Sequence, residues 1–154
     1  MTLQVGDPAP DFSLADADGN TVSLADLKGQ RVVLYFYPRD NTPGCTKEAC
    51  AFRDNYEAYQ AKDVVVLGVS ADDAKSHQKF ITKHDLPFPL LVDEEAKVAT
   101  AYGSYGLKKF MGKEYMGISR STFVIGPDGN LEKIYRKVKA EKHPVELLTA
   151  LDEL

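Results

Sequence analysis

Apolar residues along this chain recur with two different periods, and the switches between them mark out its elements. Val32-Val33-Leu34-Tyr35-Phe36 is short, continuous and rich in β-branched and aromatic residues, the pattern of a strand buried on both faces. Pro38 stops it after Tyr37. From Cys45 onward Ala49, Phe52, Tyr56 and Tyr59 recur at helical spacing, which predicts one helix from about Pro43 to Lys62. Thr42 followed by Pro43 fits a helix N-cap with proline at the first helical position. Val64-Val65-Val66-Leu67-Gly68-Val69 then reads as a second buried strand, parallel to the first because a helix of crossover length separates them.

The flanking segments are less apolar and more punctuated. Phe12-Ser13-Leu14 and Thr21-Val22-Ser23-Leu24 alternate apolar with polar around Asp16-Ala17-Asp18-Gly19-Asn20, predicting a small hairpin that covers one sheet edge. Residues 25–29 form a short helical turn ending at Gly29. Ser70-Ala71-Asp72-Asp73 caps a helix running to about His84, which Leu86-Pro87-Phe88-Pro89 ends before the strand Leu90-Leu91-Val92. Asp93-Glu94-Glu95 opens a short helix to Tyr102. Residues 103–113, rich in glycine and lysine, read as a flexible rim loop. A phosphate loop is rejected there, because Gly106 and Gly112 are too far apart and Glu114 follows Lys113 where that motif needs a hydroxyl. Residues 121–125 and 131–135 flank Gly126-Pro127-Asp128-Gly129-Asn130 and should pair as an antiparallel hairpin. A final helix starts near Pro144, with Val145, Leu148 and Leu151 as its core face. Together these elements predict an α/β fold, a central mixed sheet flanked by helices with an N-terminal β-hairpin.

Length and charge narrow the function. At 154 residues the chain fits one domain, 1–154, large enough for a core without disulfide staples. A formal charge of −4 with lysines scattered among acids gives no footprint for nucleic acid or anionic membrane. The N-terminal residues have neither a basic region nor an apolar core, so the cytoplasm is the expected location. In a reducing compartment two nearby cysteines serve catalysis or metal binding more often than stability, and two without a neighbouring histidine are poor zinc ligands. His77, His84 and His143 have no partner pattern and are expected at the surface.

Cys45 falls in the first turn of the predicted helix, where N–H groups lack intrahelical partners and the positive end of the helix dipole favours an anion. A thiolate is such an anion, which makes Cys45 the candidate nucleophile. Cys50 lies five helical residues further on, about 8.5 Å away between Cα atoms, whereas a disulfide needs them within about 7 Å. Joining the two would require the helix to unwind. No static staple would be placed so badly, which leaves a catalytic redox pair or two unrelated thiols, and the pair is favoured.

Pro38-x-x-x-Thr42-x-x-Cys45 resembles the active-site signature of the peroxiredoxins. Tyr35-Phe36-Tyr37-Pro38, Thr42-Pro43-Gly44-Cys45-Thr46 and a resolving-type Cys50 resemble the peroxiredoxin Q, or bacterioferritin comigratory protein, subfamily. The likeness runs from Gly6-Asp7-x-Ala9-Pro10-x-Phe12 through Arg120-Ser121-Thr122-Phe123 to the last helix. It implies a thioredoxin-like fold and reduction of hydrogen peroxide and alkyl hydroperoxides. Cys45 would become a sulfenic acid, Cys50 would resolve it as an intramolecular disulfide, and thioredoxin or a similar dithiol would recycle it. The resemblance further implies a monomer with no metal or organic cofactor.

Ionising the sulfur is not enough for such chemistry. A free thiol of pKa about 8.5 is already a few per cent ionised at neutral pH, so full ionisation gains only about 30-fold, or about 2 kcal/mol. Donors aimed at the departing oxygen must supply more. The candidates are the Thr42 hydroxyl, the Gly44 and Cys45 amides, and Arg120, which the resemblance places beside the sulfur. It also makes Pro38 a shield against water and Glu48 a support that could orient an arginine. Two other readings fit the same pattern: a thiol-disulfide oxidoreductase, disfavoured because four residues separate the cysteines and Arg120-Ser121-Thr122 lacks a proline, and a non-enzymatic redox-sensing module.

Overall fold

A computed structural model describes residues 2–154. Its spine is β3 (Arg31–Phe36), buried along Val32–Phe36 as the unbroken apolar run requires. β3 pairs in parallel with β4 (Val64–Ser70), Arg31 opposite Val64 through Phe36 opposite Val69. On its other side it pairs antiparallel with β8 (Ser121–Ile125), Val32 opposite Ile125. With β5 (Leu90–Val92) and β9 (Leu131–Tyr135) at the edges, the mixed sheet runs β5-β4-β3-β8-β9.

The period-2 geometry of β3 divides the core. Val33, Tyr35 and Tyr37 point to one face, where they pack with Cys45, Ala49, Phe52, Tyr59, Phe80 and Leu147. Val32, Leu34 and Phe36 point to the other, with Phe12, Leu67, Val69, Tyr102 and Phe123. The first face lies under α1 (Pro43–Asp54), α2 (Tyr56–Ala61), α3 (Ala74–His84) and α5 (His143–Leu151). α4 (Lys97–Ala101) belongs to the second. The expected hairpin is present as β1 (Ser13–Ala15) and β2 (Thr21–Ser23), and a bridge from Asp16 to Leu91 places it against the β5 edge. A single 3-10 turn, Leu24–Leu27, follows it. No helix among the described residues is long and apolar enough to cross a membrane.

Four expectations are corrected. The helix expected over 43–62 breaks at Asn55, whose side-chain amide donates to the Ala51 carbonyl (2.8 Å) and whose backbone leaves helical geometry (φ −110°, ψ 10°). Residues 103–113 are not a rim loop: β6 (Tyr105–Phe110) and β7 (Lys113–Ile118) form a hairpin closed by Met111-Gly112, both at positive φ. On α5 the core face is Leu147 and Leu151 with His143 and Pro144, Leu148 packs partly buried beside them as expected, and Val145 is exposed. His77 and His143 are buried rather than superficial. His77 bonds Asp40 and the Leu91 carbonyl, and His143 bonds the Thr122 hydroxyl (3.0 Å), with burial holding its pKa down at about 4.

Candidate active site

The chain leaves β3 through Tyr37, whose amide still donates to the Val69 carbonyl (3.1 Å), and half-buried Pro38 ends the ladder. Asn41 takes a left-handed conformation (φ 60°), which turns the chain toward α1. Thr42 occupies the N-cap position with extended backbone, yet its side chain does not cap the helix. Instead its hydroxyl donates to the Arg39 carbonyl (2.9 Å), so its lone pairs remain free to accept. Pro43 has no N–H, and the first helical bond runs from the Thr46 amide to the Thr42 carbonyl (2.9 Å). The amides of Gly44 and Cys45 lie ahead of that bond, as orphan donors of the first turn.

Cys45 is 2% exposed and belongs to the same buried cluster as Tyr35, Tyr37 and Phe52. Glu48, one turn on, is fully buried on the same helix. Arg120 enters between them from the short connection of β7 to β8: Nη2 donates to Cys45 Sγ (3.5 Å) and Nη1 to Glu48 Oε1 (2.9 Å). The guanidinium thus bridges the thiol and the carboxyl. Burial pushes the Glu48 pKa up to about 7, against the opposing charge and hydrogen bond of Arg120. Its second oxygen has no partner among the described residues, and neither does the buried Tyr35 hydroxyl. Burial, then the charges of Glu48 and Cys45, hold the Tyr35 phenol well above its ordinary pKa.

Gly44 makes the bridge possible. A Cβ there would stand 2.8 Å from Arg120 Nη2, so only glycine lets the guanidinium reach the sulfur without moving. Beyond Thr42 an open groove is lined by Pro38, Lys108, Tyr115, Met116 and Ile118. Burial and then the Arg120 charge push the Lys108 pKa down, while Cys45 acts in the opposite sense. Cys50 sits further along α1, half-buried, and both cysteines are free thiols.

The structure therefore joins Gly44, Cys45, Glu48 and Arg120 around the guanidinium, sets Pro38 and Thr42 on the groove before the helix, and leaves Cys50 a free thiol along an intact helix. The sequence reading missed Lys108 and the contacts of Asp40. Asp40 stood inside the motif stretch, but apart from Tyr37 its partners, Asp72, Ser76 and His77, lie more than 30 residues on, where no local pattern marks them.

The sequence model of the AhpC/TSA family matches residues 5–134. Peroxiredoxin Bcp of Bacillus subtilis is 53% identical over 154 residues, covering 100% of this chain and 98% of its own. The chain belongs to the AhpC/TSA family of peroxiredoxins. This peroxiredoxin is also 45% identical to Peroxiredoxin Bcp of Escherichia coli, over 98% of this chain and 97% of that one. The crystal structure of a cysteine-to-serine mutant of PrxQ from Xylella fastidiosa superposes with a TM-score of 0.93 at 34% identity, covering 99% and 98% of the two chains. The bacterioferritin comigratory protein of Xanthomonas campestris gives 0.87 at 35% identity, over 92% and 90%. The peroxiredoxin fold is thioredoxin-like, as the resemblance implied.

Proposed function

We propose that this peroxiredoxin is a thiol peroxidase that reduces hydrogen peroxide and alkyl hydroperoxides through Cys45. The carrying observation is the Arg120 guanidinium shared between the Cys45 sulfur and the buried Glu48 carboxyl. A cation fixed there by its second bond is set to stabilise negative charge without reorganising as the O–O bond breaks.

The Cys45 thiolate attacks the hydroxyl-bearing oxygen of the hydroperoxide, forming an S–O bond as the O–O bond breaks. The departing oxygen carries the electron pair away, takes a proton, and leaves as water or alcohol. Arg120 and the first-turn amides of Gly44 and Cys45 face the developing charge. Thr42, whose proton is engaged by Arg39, accepts from the peroxide hydroxyl, a reversal of the donor role expected from sequence. Pro38 walls the groove against water. Glu48 positions Arg120.

Resolution requires α1 to open. Cys50 then attacks the Cys45 sulfenic sulfur and expels water, giving a disulfide that an external dithiol protein, thioredoxin in this proposal, reduces. In this proposal the enzyme works as a monomer in the cytoplasm. The cycle as proposed needs no metal or organic cofactor.

The test is hydroperoxide consumption coupled to thioredoxin reduction. The parent is expected to turn over, Cys45→Ser to be inactive, and Cys50→Ser to react once and hold a sulfenic acid at Cys45. Normal turnover by Cys45→Ser would end the proposal. Recycling of Cys50→Ser at the parental rate would remove Cys50 from the resolving step.

A further inference from the structure

Asp40 is 7% exposed in the middle of the loop that carries Pro38 and Thr42, and it is tied down from three directions. The Tyr37 hydroxyl donates to Oδ1 (2.6 Å), while the Ser76 hydroxyl (2.8 Å) and His77 Nδ1 (2.7 Å) meet Oδ2. The Asp40 amide donates to Asp72 Oδ2 (2.8 Å), which also receives the Ser70 hydroxyl (2.6 Å). His77, fully buried, places its other nitrogen 2.9 Å from the Leu91 carbonyl. A carbonyl only accepts, so Nε2 carries a proton, and Nδ1 shares another with Asp40. Asp40, Asp72 and His77 bring ligand-type atoms within 4.8 Å of one another. Since Nδ1 and Oδ2 face each other at hydrogen-bond length, an ion pair accounts for the cluster without a cation.

None of these partners lies on α1. They come from the end of β3, the exit of β4, α3 and β5. Unwinding residues 43–50 therefore breaks none of them, and the chain can hinge between the clamped loop and Pro43, where Thr42 is already extended (φ −87°, ψ 153°). We propose that His77 is a positioning residue: by gripping Asp40 it keeps Pro38 and Thr42 in place while the helix beyond them opens and recloses. Burial alone would lower the His77 pKa, but the hydrogen bond and charge of Asp40 raise it overall, in keeping with a charged pair.

This inference rests on the peroxidase reading above, and its test separates the two. Reaction of the reduced protein with hydrogen peroxide, and disulfide formation afterwards, are timed by rapid quench and mass spectrometry for the parent, His77→Phe and Asp40→Asn. In His77→Phe the peroxide step is expected to slow by about 10- to 100-fold, the scale of a positioning group displaced by about an ångström. Disulfide formation should not slow, because the opened helix does not use the clamp. Asp40→Asn should retain most of the parental rate, since a neutral His77 can accept from the new amide at Nδ1 and still donate to Leu91. A change in overall stability alone would not move the ratio of the two steps. A folded His77→Phe with both rates within about twofold of the parent would overturn the clamp and leave the peroxidase reading standing. Should His77→Phe not fold, amide exchange of the parent decides. The Tyr37 and Asp40 amides are expected to stay protected on oxidation, and their loss of protection together with residues 43–50 would overturn the proposal.

Discussion

Arg120→Lys keeps the charge and removes the fork. Arginine serves two acceptors, Glu48 Oε1 at 2.9 Å and Cys45 Sγ at 3.5 Å, through different nitrogens. A lysine has one nitrogen, and the buried Glu48 carboxyl, whose other oxygen is already unpartnered, should take it. A unit charge at the 3.5 Å contact is worth about 5 kcal/mol to an anion at an effective dielectric of about 20, and about 3 kcal/mol if it withdraws to about 6 Å. The difference, about 2 kcal/mol, slows the peroxide step by about 30-fold, and loss of an oriented donor at the breaking bond extends the range to about 1,000-fold. Stability should change little, because Glu48 keeps a cation. The chain has no tryptophan, so the step is best followed in a Cys50→Ser background by quenching at set times and measuring addition of one oxygen. A rate within about threefold of that background would refute the bridging role, since the single charge would then suffice wherever it sits.

Gly44→Ala tests the same geometry from the opposite side. The new Cβ would meet Arg120 Nη2 at 2.8 Å, so the side-chain tip must shift. The peroxide step should fall about 10-fold or more while stability stays within about 1 kcal/mol, alanine being at home in a helix; unchanged kinetics would show the close approach to be dispensable. Glu48→Gln addresses pH. Because the folded-state pKa of Glu48 is raised to about 7, the stability linked to its proton is fully present below about pH 4.5 and is lost as pH rises through about 7. Denaturant unfolding at pH 4.5 and pH 8 should show the parent losing about 3 kcal/mol more than Glu48→Gln across that interval, and parallel behaviour would contradict the buried, proton-holding carboxyl.

The placement of Cys45 was readable because every signal was local: an apolar strand, a stopping proline, a cap position and a first turn lie within about a dozen residues. Arg120 was placed beside the sulfur by the family resemblance alone, since it approaches from 75 residues away and no spacing rule measures that distance. The β6–β7 hairpin escaped because its turn uses Met111 rather than asparagine before glycine, and because most of its side chains are exposed, so no alternation of apolar with polar records its pleat. Asn55 looked like an ordinary surface residue of a helix until its side chain was seen to bond the Ala51 carbonyl. His77 and His143 were misplaced for a related reason. An imidazole is indifferent to burial until a partner is supplied, and theirs are the distant Asp40 and Thr122. What decides this site is thus split between a short legible motif and side chains that only the fold delivers to it.

Catalysis in this protein rests on a sulfur at the start of α1 that its partner cannot reach while the helix is whole. Reduced protein treated with one equivalent of hydroperoxide, digested without reductant and mapped, while amide exchange is followed in parallel, examines that directly. The expected result is a Cys45–Cys50 crosslink within one chain, accompanied by faster exchange confined to residues 43–51. A crosslink formed with protection of those amides unchanged, or complete oxidation without any crosslink between these two residues, would contradict it.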